Sequence, residues 1–236
     1  MTSQVEGYRL SAQQRSLWRR IETGAPAWAQ VVLAVEGPLD HARLVRALES
    51  VVSTHEILRT SYRRPPGVRV PVQVVEEEDR APFAWTVADL RHLDSAGRTA
   101  RVSQVVREGR QPPADPGGPT TPHAVLFRLG ERSHELLLTT SALAADSATL
   151  RLLGAELAAR YRAEPSPGEV LGYSQFAEWQ YDIEPDEDAE ALLRGDEMRV
   201  AARFPLRRGG FPDGTDSETI TAELPASLVA DVHGYA

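Results

Sequence analysis

The chain has 236 residues, 42% of them apolar and 25% charged, with a net charge of −8 and no cysteine. That length suits one domain with a sizeable core, and the missing cysteines exclude disulfides and thiolate metal sites and fit a cytoplasmic location. The acidic balance argues against nucleic acid, no apolar run reaches the ~18 residues of a membrane span, and the N-terminus lacks a signal-peptide pattern.

"YRLSAQQRSLWRRIETG" predicts a helix with Ser11 as N-cap and Gly24 as its stop. Trp28 to Val35 is apolar and β-branched and predicts a strand, ended by Gly37-Pro38. Residues 40–54 put Leu44, Ala47, Leu48 and Val51 on one face of a second helix. Val68 to Val75 alternates like a strand, with Pro71 marking an edge or a bulge. "APFAWTVADL" predicts a short strand, and residues 94–110 a helix capped by Asp94 or Ser95. "QPPADPGGPTTP" holds five prolines and two glycines and predicts a loop. "HAVLFRL" and "HELLLTT" flank a tight turn, which predicts a hairpin.

Residues 146–163 give the clearest helix, with Leu150, Leu153, Leu157 and Tyr161 on one face and Asp146 or Ser147 as cap. A helix holding Phe176, Trp179 and Gln180 follows. Residues 185–204 predict a helix that is acidic at its start and basic at its end, as the helix dipole favours. A loop, a strand at 218–224 and the start of a helix complete the chain. The fold class is α/β, with strands and helices mixed.

Few side chains suggest chemistry. His55-Glu56 is a candidate base and orienter, although adjacent helical residues do not face each other; the structural alternative is a helix C-terminus where cationic groups meet the dipole. Asp146 is a candidate base-holder or cation ligand, or else an N-cap or an acid paired with an arginine such as Arg59. His123 and His134 fall on the hairpin; His41, His92 and His233 stand alone, and no spacing suggests zinc. There is no P-loop, dinucleotide fingerprint or nucleophile elbow. Trp18, Trp28, Trp85 and Trp179 read as core aromatics.

Three stretches in order resemble the condensation domains of nonribosomal peptide synthetases, members of the chloramphenicol-acetyltransferase-like superfamily. "LSAQQRSLW" keeps Ser11, Gln14, Leu17 and Trp18 of a Ser-x-Ala-Gln-x-Arg-Leu-Trp motif, with Gln13 and Ser16 departing from it. "THEILRT" keeps His55, Glu56, Leu58, Arg59 and Thr60 of Arg-His-Glu-x-Leu-Arg-Thr and is the most specific match. "YSQFAEWQ" keeps Tyr173, Phe176, Ala177, Trp179 and Gln180 of Tyr-x-Asp-Phe-Ala-x-Trp-Gln, with Gln175 in place of Asp. The resemblance implies a sandwich of a mixed sheet flanked by helices. Residues 1–206 would form the family's N-terminal lobe and 207–236 a stub of its second. Two origins stay open: a natural half-domain, or one piece of a longer synthetase.

The family also carries His-His-x-x-x-Asp-Gly between a core strand and a helix, and its second His is catalytic. Setting the Asp on Asp146 puts Ser141 and Ala142 at the His positions and Ser147 at the Gly. Alanine accepts no proton, and general-base help is worth about 10²- to 10⁴-fold. Ser141 lacks a base of its own. By resemblance Asp146 pairs with Arg59 as scaffold.

The implied function is a non-catalytic platform for an adenylation domain, a peptidyl carrier protein or a tailoring enzyme. It needs no cofactor, since phosphopantetheine sits only on a partner carrier. Such a platform should expose an apolar patch. The alternative is an acyltransferase forming amide or ester bonds between carrier-bound substrates. Its altered site would be completed by another segment or subunit, with His123 or His134 as base.

Overall fold

The computed structural model describes residues 7–24, 27–77, 83–110, 117–164, 168 and 170–183. The helix expected at 185–204, the later strand and helix, and the boundary at 206/207 lie outside them.

Helix α1 (Ala12–Glu22) begins with a reciprocal capping box: Ser11 accepts from the Gln14 backbone, and the Gln14 side chain accepts from the Ser11 backbone. Strand β1 (Trp28–Glu36) and helix α2 (His41–Thr54, capped by Asp40) follow as expected. A 3-10 turn over Glu56–Arg59 then leads into β2 (Thr60–Arg63), a strand the residue pattern does not predict. Its Thr60, Ser61 and Tyr62 are all buried, so no alternation of apolar and polar residues marks it.

β2 pairs antiparallel with β3 (Val72–Val75). The expected strand from Val68 is therefore shorter: Val68 and Val70 are exposed, and the ladder starts only after the buried Pro71, which has no N–H to give it.

β4 (Ala84–Asp89), α3 (Ser95–Glu108, capped by Asp94) and β5 (His123–Arg128) form a crossover unit with β4 and β5 parallel. β5 and β6 (Ser133–Ser141) make the expected hairpin, and β6 pairs antiparallel with β1 along its length. The sheet is mixed, in the order β1-β6-β5-β4. Helices α4 (Ser147–Tyr161) and α5 (Tyr173–Asp182) complete the described elements.

Both faces of β5 and β6 are buried, which explains their nearly unbroken apolar run. Ala124, Leu126, Leu136 and Leu138 meet Leu44, Leu48 and Leu157 of α2 and α4 on one face. Val125, Phe127 and Leu137 meet Val102, Val105 and Val106 of α3 on the other. Such a sandwich holds the middle of β6 between two helical layers.

Candidate functional site

The loop from β6 to α4 leaves the C-terminal end of β6. Ala142 extends the ladder by donating its N–H to the Ala27 carbonyl at 2.8 Å. The chain then turns on Ser141, whose hydroxyl accepts from Leu143 N at 3.2 Å and whose carbonyl accepts from Ala144 N at 3.0 Å. The turn ends at Asp146, the N-cap of α4, which accepts from Thr149 N at 2.7 Å and Thr149 Oγ1 at 2.9 Å. Those bonds hold the Asp146 carboxyl below the usual range despite some desolvation. Ser147 is the first residue of the helix.

The loop is fastened from beneath. The Leu143 carbonyl accepts from Gln14 Nε2 at 3.1 Å and from Tyr62 Oη at 3.2 Å. Gln14 Nε2 also lies 3.0 Å from Tyr62 Oη and from Gln73 Oε1, so its two N–H groups serve three acceptors. Burial pushes the Tyr62 phenol far above its ordinary value, which keeps it a donor. Trp18 packs on Tyr62 with ring centroids 5.9 Å apart. Tyr62 and Gln73 belong to no recognised motif; the signal for Gln73 was a lone amide in the apolar run "VPVQVV".

The other motif residues join the same frame. Ser11 Oγ meets Tyr173 Oη at 3.0 Å. The Glu56 carboxylate accepts from Ser174 N at 2.9 Å and Ser174 Oγ at 2.6 Å, capping α5 in place of Gly172, which has no side chain to do so. His55 does not act on Glu56. Its Nε2 meets Glu156 of α4 at 2.6 Å, and Glu156 also takes Arg160. Burial pushes the Glu156 carboxyl up, but hydrogen bonds from His55 and Arg160 outweigh it and leave it lowered.

Two expectations are corrected. Arg59 does not pair with Asp146: its Nη1 donates to the Glu76 carbonyl at 2.5 Å, while Asp146 is occupied as a cap. Trp179 is not a core aromatic but is 58% exposed. α5 turns Ser174 and Ala177 inward, which leaves Trp179 on its outer side, its ring tilted against that of the half-buried Phe176 at 5.9 Å. Gln180 Oε1 is buried without a partner.

The histidines of the hairpin divide. His134 stands at the far end of β6, about 23 Å of extended strand from Ser141. It is buried edge-on to His41, and desolvation lowers its pKa. His123 is exposed at the start of β5, in register with Thr139. Among the described residues no cluster of three His, Asp or Glu side chains is placed to hold a metal, and no helix is long and apolar enough to cross a membrane.

Residues 4–193 match the condensation domain family. The chain belongs to that family. Among curated relatives, chondramide synthase cmdD of Chondromyces crocatus is 30% identical over 207 residues, which is 84% of this chain and 5% of that protein. The isonitrile lipopeptide synthase of Mycobacterium tuberculosis is 30% identical over 234 residues, 95% of this chain and 9% of that protein. Among solved structures, the first condensation domain of the CDA synthetase superposes with a TM-score of 0.63 at 22% identity, covering 75% of this chain and 45% of that one. SgcC5 from Streptomyces globisporus gives 0.57 at 27% identity, covering 66% and 36%. The chain therefore spans less than half of these solved structures and a small part of its curated relatives. The mixed sheet flanked by helices is the fold that these structures share.

Proposed function

We propose that this condensation lobe is non-catalytic and serves as a docking platform in a nonribosomal peptide synthetase system. Its partner would be an adenylation domain, a carrier protein bearing phosphopantetheine, or a tailoring enzyme. The observation that carries this reading is Ala142. The loop between β6 and α4 keeps its fastening through Gln14 and Tyr62, yet a methyl group stands where the family motif has its imidazole. A base must lie within hydrogen-bond reach of the proton it takes, and His134 stands at the opposite end of its strand. Ser141 Oγ accepts from the Leu143 amide, and among the described residues no histidine or carboxylate hydrogen-bonds it to take its proton. The large synthetases among the relatives support partners of the adenylation and carrier kind. The outer side of α5, where Trp179 is exposed, supplies an apolar contact of the sort that anchors an interface.

The test has two arms. Carrier-bound donor and acceptor substrates are incubated with and without the protein, and product should form at the same rate in both; turnover above background would overturn the non-catalytic reading. Light scattering of the protein mixed with an adenylation domain and a carrier domain of its own synthetase system should then give a one-to-one complex. Trp179→Ala should weaken that complex about tenfold or more. A protein that binds neither domain, nor a tailoring enzyme of the same synthetase system, sinks the platform.

A further inference from the structure

Arg59 is half-buried and carries five N–H donors. Among the described residues one of them is used, in the bond from Nη1 to the Glu76 carbonyl. Its Nε is buried without a partner, and among the described residues the guanidinium forms no ion pair. A partly desolvated cation without a counter-ion is unfavourable. The neighbouring ionisable groups are committed elsewhere. His55 holds Glu156, Glu56 caps α5 through Ser174, and the Glu76 carboxylate takes Ser61 and Arg63.

Arg59 also lines a cavity of about 480 Å³ between the 3-10 turn and the start of α5. Ile57, Val170, Leu171 and Phe176 supply its apolar wall. That volume suits a small molecule.

We propose that this cavity binds a small amphiphilic carboxylate. The carboxyl group lies on the guanidinium of Arg59, whose planar fork matches it, and the hydrocarbon part lies against Ile57, Leu171 and Phe176. A single negative charge is favoured over a dianion. The cavity offers one uncommitted cation, and the Glu56 carboxylate on its wall repels a second negative charge. The apolar wall favours a hydrocarbon body over a bare inorganic ion.

The full chain is titrated with hexanoate, hexanol and inorganic phosphate while backbone amides are followed by NMR. Hexanoate should shift the amides of Ile57, Arg59, Leu171 and Tyr173 saturably, with a Kd of about 1 mM. Hexanol and phosphate should each bind about tenfold more weakly or worse, because one lacks the charge and the other the hydrocarbon. Arg59→Gln should cost hexanoate a similar factor. Should that variant fail to fold, Leu171→Glu, at a position 68% exposed, should weaken hexanoate by adding a like charge at the rim. The proposal is overturned by any of four results: no saturable shift, hexanol or phosphate matching hexanoate, Arg59→Gln binding as tightly as the parent, or Leu171→Glu leaving affinity unchanged.

Discussion

Gln14, in the first turn of α1, donates its side-chain amide to the main-chain carbonyl of Leu143 at 3.1 Å, across 129 residues of sequence. That bond and the one from Tyr62 at 3.2 Å tie the α1 side of the fold to the loop carrying Ala142, beside the packing of Leu143 with Leu10 and Trp18. Leu143 is buried, so its carbonyl has no ready replacement in water. Gln14→Leu should lower stability by about 1–3 kcal/mol, and Tyr62→Phe by less. The double variant should lose more than the sum, because only then is the Leu143 carbonyl left bare. Urea midpoints of the four proteins measure this; strictly additive losses would mean that the two donors do not share the acceptor.

Gly172 and Glu56 form a second coupled pair. A Cβ at Gly172 would lie 2.6 Å from Glu56 Oε1, the oxygen that caps α5. The backbone at Gly172 has φ −64°, so the constraint is space rather than torsion. Gly172→Ala should therefore cost about 1–3 kcal/mol by displacing the carboxylate. In a Glu56→Ala background the same substitution should become neutral or slightly stabilising, since the obstruction is gone and the unfolded chain is less free. Thermal unfolding of the cycle decides; an unchanged penalty in that background would mean a different obstacle.

The clamp of His55, Glu156 and Arg160 joins α2 to α4 and responds to pH. The Glu156 carboxyl is lowered in the fold. A depressed carboxyl contributes stability that is fully present above its unfolded value and is lost as pH falls through the folded one. Glu156→Gln should accordingly remove part of the acid-side loss, below about pH 4.3, while lowering stability at neutral pH. Urea unfolding from mildly acidic to strongly acidic buffer tests this, and parallel pH profiles for the two proteins would contradict it.

Asp146 is a cap in the structure rather than the partner of Arg59. Asp146→Ala should cost about 1 kcal/mol, whereas Asp146→Asn should keep most of the stability, because the amide oxygen still accepts from Thr149 N. An ion pair with Arg59 would make both substitutions costly. Chemical denaturation of the two variants separates the cases.

The residue patterns alone led to most elements, because their signals are local. Ser11, Asp40, Asp94 and Asp146 mark helix starts, and each has its side-chain cap bond. The hairpin of β5 and β6 follows from two apolar runs about a tight turn. β2 was invisible since its buried Thr60 and Ser61 imitate a loop. The family was legible too, because its motifs are short and contiguous, and so was the methyl group at Ala142. Sequence spacing did not reveal which motif residues touch. Gln14 reaches Leu143, Glu56 reaches Ser174 and His55 reaches Glu156, each more than 100 residues away. Only the tertiary structure decided those pairings, left Arg59 without a counter-ion among the described residues and turned Trp179 outward. The reason is physical: caps and strand patterns depend on neighbours along the chain, whereas a side chain's partner depends on which surfaces the packing of sheet and helices brings within about 3 Å.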